Sequence, residues 1–269
     1  MLQVSALYVY PIKSCAGISV AAANVESRGL QYDRRFMLVD KNGRFLTQRQ
    51  VPQMALLGTA IEAGMLRATR PGTESIEMPL NPAYDDTARV KIWRSELDAS
   101  IAPSAVNDWF SEYLDRPVRL VYMADDQHRR VSRERASAAD DEVSFADGAP
   151  ILLIGEASLA DLNTRLSEPV PMLRFRPNIV VNTSEAYAED GWRRIEIGTT
   201  PLEVAWSCSR CTMTTVDPHT GVVDESREPL RTLRTFRLQG NAVMFGQNVL
   251  TRGSGQLRVG DHLTVIDRR

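Results

Sequence analysis

The chain has 269 residues, 43% of them hydrophobic and 25% charged, with a formal net charge of −2 at pH 7. That length suits one large domain or two modest ones, and the balance of charge gives no reason to expect nucleic acid or an anionic membrane as the main partner. With three cysteines there is no disulfide framework to build, so a reducing, cytoplasmic setting is expected.

The first hundred residues read as β-rich. Leu2, Val4, Ala6 and Tyr8 alternate with other side chains at period two, the pattern of a strand and not of a signal peptide. Strands at 35–39 and 44–47 flank Lys41-Asn42-Gly43, and strands at 56–62 and 65–69 flank Gly64. Asn and Gly tolerate positive φ and so favour hairpin turns, and short strands spaced by turns suggest a barrel or sandwich. Pro103 suits the first turn of a helix that carries Val106, Trp109, Phe110, Tyr113 and Leu114 on one face and stops at Pro117. A strand at 118–123 follows.

Residues 124–146 break the pattern. Charged runs such as Asp125-Asp126-Gln127-His128-Arg129-Arg130 sit among Ser and Ala, with few apolar residues. This segment is expected to be a linker or lid loop between a domain at 1–123 and another at 147–269. Beyond it the expected elements are a buried strand at 150–154, a helix at 157–166, and strands from 175, at 195–197 and at 202–206. A short helix at 229–236 and strands at 243–250 and 257–265 complete the set. No run approaches the ~20 apolar residues of a membrane span.

The chemistry concentrates in Ser207-Cys208-Ser209-Arg210-Cys211. A thiolate is a soft ligand for a transition metal, and a neighbouring cation helps keep a thiol deprotonated. Four readings compete. Structural zinc needs four Cys or His ligands, and only Cys15 and three scattered histidines remain. A thioredoxin-type pair would open a helix, whereas Thr212-Met213-Thr214-Thr215-Val216 favours β structure. Both cysteines could be small buried residues. In the fourth reading one thiolate binds a larger cofactor.

Other residues bear on that choice. Lys13 and Ser14 stand at a strand-to-loop exit, where polar side chains meet ligands. One of Arg34 and Arg35 must point inward if alternation continues, and an inward Arg needs an anion. Arg176 and Asn178 share a face of the expected strand, the first offering a fork for phosphate and the second an amide for a heterocycle edge. Asp147-Gly148 starts a turn, with a ligand contact as the sharper reading. Asp217-Pro218-His219-Thr220-Gly221 also reads as a turn, ahead of a proton donor at Asp217. There is no GxGxxG fingerprint and no Walker loop.

Taken together, Tyr-Pro-Ile-Lys-Ser-Cys at 10–15, Asp-Arg-Arg-Phe at 33–36, Glu-Ala-Ser-Leu-Ala-Asp-Leu-Asn at 156–163, Phe-Arg-Pro-Asn-Ile-Val at 175–180 and the cysteine motif at 208–221 resemble MOSC proteins. The resemblance is to the branch of the mitochondrial amidoxime-reducing component and its bacterial relatives. It implies an α+β, mainly β fold, with an N-terminal β-barrel domain packed on a MOSC β-barrel domain carrying a few helices. It implies a molybdenum–pyranopterin cofactor whose metal is bound by Cys211, with Lys13, Ser14, Arg35, Asp147, Arg176, Asn178, Ser209 and Arg210 as cofactor contacts. The activity it implies is removal of oxygen, as water, from small N-hydroxylated compounds such as hydroxylamines, amidoximes and N-hydroxylated bases.

Some bacterial relatives carry a ferredoxin-like domain, whose [2Fe–2S] cluster typically needs four cysteines. None follows Cys211 here, so electrons are expected from a separate ferredoxin, flavodoxin or cytochrome b5-like protein with its reductase. The membrane anchor of the mitochondrial members is likewise not expected. The alternative function is a carrier of the cofactor, or of persulfide sulfur, acting through Cys211.

Overall fold

The computed structural model describes residues 1–72 and 74–269. The fold is α+β and mainly β, as expected, with three α-helices among the described residues. Its largest sheet runs Leu263–Arg268, Trp192–Ile197, Thr200–Arg210, Ala242–Thr251, Ile151–Gly155, Ile179–Val181, Val4–Val9 and Ile18–Val20. The only parallel pair in that order joins Ile151–Gly155 to Ile179–Val181, and the helix Glu156–Thr164 lies in the crossover between them.

The N-terminal strands therefore belong spatially to the C-terminal half. Val4–Val9 pairs with Ile179–Val181, and Ala22–Glu26 pairs with Gly255–Arg258. One core joins Val4, Leu7, Val25 and Leu30 to Ile151, Ile179, Trp192 and Val249. A second core lies under the remaining N-terminal elements. There the sheet Phe36–Val39, Arg119–Tyr122, Ser95–Ile101, Thr87–Ile92 and the helix Ser104–Leu114 close over Ile12, Phe36, Met54, Leu66 and Leu120. That helix buries Val106, Phe110 and Leu114 at i, i+4 and i+8, one stripe of a 3.6-residue period. It ends in a left-handed Asp115 (φ 48°), two residues before Pro117.

Several expected elements differ. The hairpin strand at 44–47 is reduced to bridges, because Phe45 and Gly43 hydrogen-bond across to Lys91 while Leu46 donates to Leu38. Phe175 ends a 3-10 turn, Met172–Phe175, and Arg176 is left-handed (φ 54°), so the strand begins only at Ile179. The run after Cys211 is a 3-10 turn, Thr212–Thr215, not a strand. The end of the chain forms two strands, Gly255–Arg258 and Leu263–Arg268, split by a turn at Gly260.

The 124–146 segment contains one isolated bridge, Arg130 to Glu142, and no longer element. It is pinned down all the same. Arg28 donates to the carbonyls of Ala124, Asp125 and Gln127, and Val131, Val143 and Phe145 are buried.

Candidate cofactor site

The loop that leaves Val4–Val9 brings Lys13 and Ser14 inward. Lys13 N donates to Phe36 O at 2.8 Å, and Ser14 adopts φ 66°. From the other half, the end of Thr200–Arg210 and the Phe175–Asn178 segment approach the same place. Between them lies a cavity of about 100 Å³ lined by Lys13, Ser14, Arg34, Asp147, Arg176 and Asn178, together with Cys208, Arg210 and Met213.

Lys13 is 4% exposed. Its ammonium donates to Phe145 O at 2.8 Å and to Asp147 Oδ1 at 2.5 Å, leaving one N–H. Burial pushes Lys13 down to about 8 against the pull of Asp147. Although burial opposes it, Lys13 in turn holds the Asp147 carboxyl far below its usual range. Arg176 donates to Cys15 O at 2.6 Å and lies 4.2 Å from the Tyr10 ring centre; burial lowers it to about 10. Cys15 itself is a core residue whose thiol burial raises to about 12.

Asn178 lines the cavity, but its amide is spent. Oδ1 accepts from Arg34 and Leu152 N, while Nδ2 donates to Tyr8 O and Asp33. It positions Arg34 and has no donor or acceptor left for a heterocycle.

Arg35 does not reach the cavity. Its guanidinium donates to Met123 O, Tyr122 Oη and Asp125 on the far side of the strand. Of the two arginines that alternation left open, the resemblance implied Arg35, whereas Arg34 takes the inward place, through left-handed backbone (φ 49°). Its guanidinium pairs with the buried Asp33 at 2.6 Å and lies 4.3 Å from the centre of the Tyr10 ring.

Ser209 also lies outside, exposed on an adjacent cleft. Of the two cysteines, Cys208 lines the cavity and accepts from Arg210 Nη1 at 3.1 Å. Cys211 follows the strand's last residue, between the cavity-lining Arg210 and Met213, and Arg49 Nη1 approaches its sulfur at 3.6 Å. Arg49 stands 4.7 Å from the Trp93 ring centre, and Trp93 Nε1 donates to Asp147 at 3.1 Å. Nothing in the local sequence marks Arg49 or Trp93, because their relation to Cys211 and Asp147 exists only across the fold.

Four cations on the lining, Lys13, Arg34, Arg176 and Arg210, face one carboxylate, Asp147. Ser14 Oγ, Arg176 Nη2 and Arg210 Nε are buried without a hydrogen-bond partner. Unpaired buried donors are costly, and three on one cationic wall fit an anionic group that accepts from them. Among the described residues no cluster of three or more His, Cys, Asp or Glu could hold a metal. The zinc reading of the cysteine pair therefore lacks ligands among the described residues. Asp217 is a turn former: Oδ1 accepts from His219 N and Thr220 N, and Oδ2 pairs with Arg174.

The MOSC N-terminal beta barrel domain family matches residues 1–117, and the MOSC domain family matches residues 140–264. Mitochondrial amidoxime-reducing component 1 of Danio rerio is 36% identical, over 96% of this chain and 83% of its own length. The human component 1 is 33% identical over 98% and 82%. Component 2 of Rattus norvegicus is 37% identical over 96% and 81%.

Proposed function

Because this chain belongs to the MOSC family of the mitochondrial amidoxime-reducing components and is an oxidoreductase, we propose that it reduces N-hydroxylated compounds with a molybdenum–pyranopterin cofactor held in the cationic cavity. Two electrons and two protons convert N–OH to N–H and water. When bound, the cofactor supplies the two-electron redox centre and a Lewis acid for the leaving oxygen. The chain's own residues bind, orient and neutralise.

The observation that carries the reading is the set of three unpaired buried donors on a four-cation wall. Arg176 and Arg210 offer forked N–H groups suited to a phosphate, and Ser14 adds a hydroxyl. Lys13 adds a buried charge, and Arg34, braced by Asp33 and Asn178, adds another. Cys211 is the proposed metal ligand, in keeping with the family motif, and Arg49 stands ready to stabilise its negative sulfur. Electrons come from a separate ferredoxin, flavodoxin or cytochrome b5-like protein. Among the described residues no helix is long and apolar enough to cross a membrane, and the proposed setting is cytoplasmic.

The test is metal and pterin content per chain, with turnover of benzamidoxime by an artificial electron donor. Cys211→Ala should abolish turnover and lose most of the molybdenum, while Cys208→Ala keeps most of both. Equal, complete loss in both variants would favour a dithiol mechanism. Stoichiometric cofactor without turnover would favour the carrier reading.

A further inference from the structure

A second cleft adjoins the first and shares Asp147 and Gly148 with it. It measures about 660 Å³, and its walls include Arg94, Arg129, Arg130 and Arg135 against Glu134 and Asp147. Such an excess of arginine is local in a chain of net charge −2.

The charges differ in how far they are committed. Asp147 is engaged by Lys13, and Arg130 by Glu142 at 3.1 Å. Arg129 is 7% exposed, and its guanidinium donates only to uncharged acceptors, the carbonyls of Ser144, Ala146 and Asp147 and the hydroxyl of Ser95. Its charge has no carboxylate partner among the described residues. Arg94 is exposed and also forms no ion pair. Arg135 lies 5.3 Å from the Trp206 ring centre and forms none. A buried guanidinium with no ion pair of its own, sharing the field of Asp147 with Lys13 and backed by two further arginines, attracts an anion into the cleft. Ser209, between the two cysteines in sequence, lines the same cleft, and the half-exposed Trp93 stands where it meets the proposed cofactor cavity.

We propose that this cleft is a substrate subsite for an oxyanion, a carboxylate or a phosphate carried on the N-hydroxylated compound, whose N–OH end then faces the Cys211 side. The assignment rests on the reductase reading above and narrows its substrate class.

Two substrate pairs, each a neutral compound and its anionic counterpart, test it on the holoenzyme: benzamidoxime with para-carboxybenzamidoxime, and N-hydroxycytidine with its phosphate monoester. Reduced methyl viologen serves as donor, so that docking of a protein donor plays no part. In at least one pair the anionic member should show a KM about tenfold or more below its neutral partner, an advantage that shrinks with added salt. The pair that responds tells a carboxylate site from a phosphate site.

The Arg94→Ala/Arg135→Ala double variant should raise the KM of the anionic member about tenfold, with kcat and the neutral member unchanged. Equal KM within both pairs, or a double variant that moves both members alike, overturns the proposal. So does a double variant that is impaired only with a protein donor, which would make the cleft a docking face. Binding of the two anionic compounds, followed by calorimetry, separates the two hypotheses. Binding that the double variant loses, without turnover of any substrate, would sink the reductase reading and leave the anion site standing.

Discussion

Arg34 and Arg35 adjoin in sequence yet serve opposite sides of the protein. Arg34 neutralises Asp33, whose side chain is fully buried, and whose carboxyl burial pushes up in spite of the arginine. Arg34→Met should strand that carboxylate and cost about 3–5 kcal/mol, the usual penalty for breaking a buried pair. Adding Asp33→Asn should recover most of the stability while leaving the cavity one cation short. Thermal unfolding reads the first effect and cofactor content the second. Arg35→Met should instead loosen the Met123–Asp125 turn with little effect on loading.

Lys13 gives the cavity a pH dependence. An anion prefers the ammonium form, so affinity for inorganic pyrophosphate should be full below about pH 8 and fall as pH rises through that value. Folding carries the opposite sign. The unfolded lysine holds its proton up to about 10.5, so the same shift makes the fold relatively more stable as pH rises from about 8 to 10.5. Calorimetry of pyrophosphate binding across this range should show the decline, and Lys13→Met should flatten it.

Among the elements, those with a long periodic pattern were legible in the sequence. The helix Ser104–Leu114 declares its buried stripe, and the strand around 202–206 declares its alternation. The segments that build the cavity do not. Arg176 and Arg34 reach it through left-handed backbone, a conformation that non-glycine residues seldom take and that no periodicity reveals. Lys13, Ser14, Arg176 and Arg210 could be named because their motifs resemble a family. Arg49 and Trp93, which carry no local signal, could not.

Gly43 sits in a turn whose geometry demands glycine. Its φ is +74°, and a Cβ there would stand 2.4 Å from Arg89 O. Gly43→Ala should therefore cost about 1–3 kcal/mol, read by chemical denaturation, and should pull the 44–46 segment away from Lys91.

At the scale of the molecule, the two halves are not separable by a cut in the 124–146 segment. A fragment of residues 147–269 would expose the edge of Ile179–Val181 that Val4–Val9 covers, and would lose the Ala22–Glu26 partner of Gly255–Arg258. It should be insoluble or unfolded alone, and become soluble when co-expressed with residues 1–146. Circular dichroism and the yield of soluble fragment check this.

The same pairing has a consequence for synthesis. Ala6 meets Val180 in the finished sheet, so its partner leaves the ribosome about 170 residues later. At roughly 5–20 residues per second, that is a wait of about ten to thirty seconds. Throughout it an apolar strand with unmet backbone groups is in the open. The nascent chain should thus stay vulnerable to aggregation until the segment around Val180 is translated, and slowed elongation should lower the soluble yield.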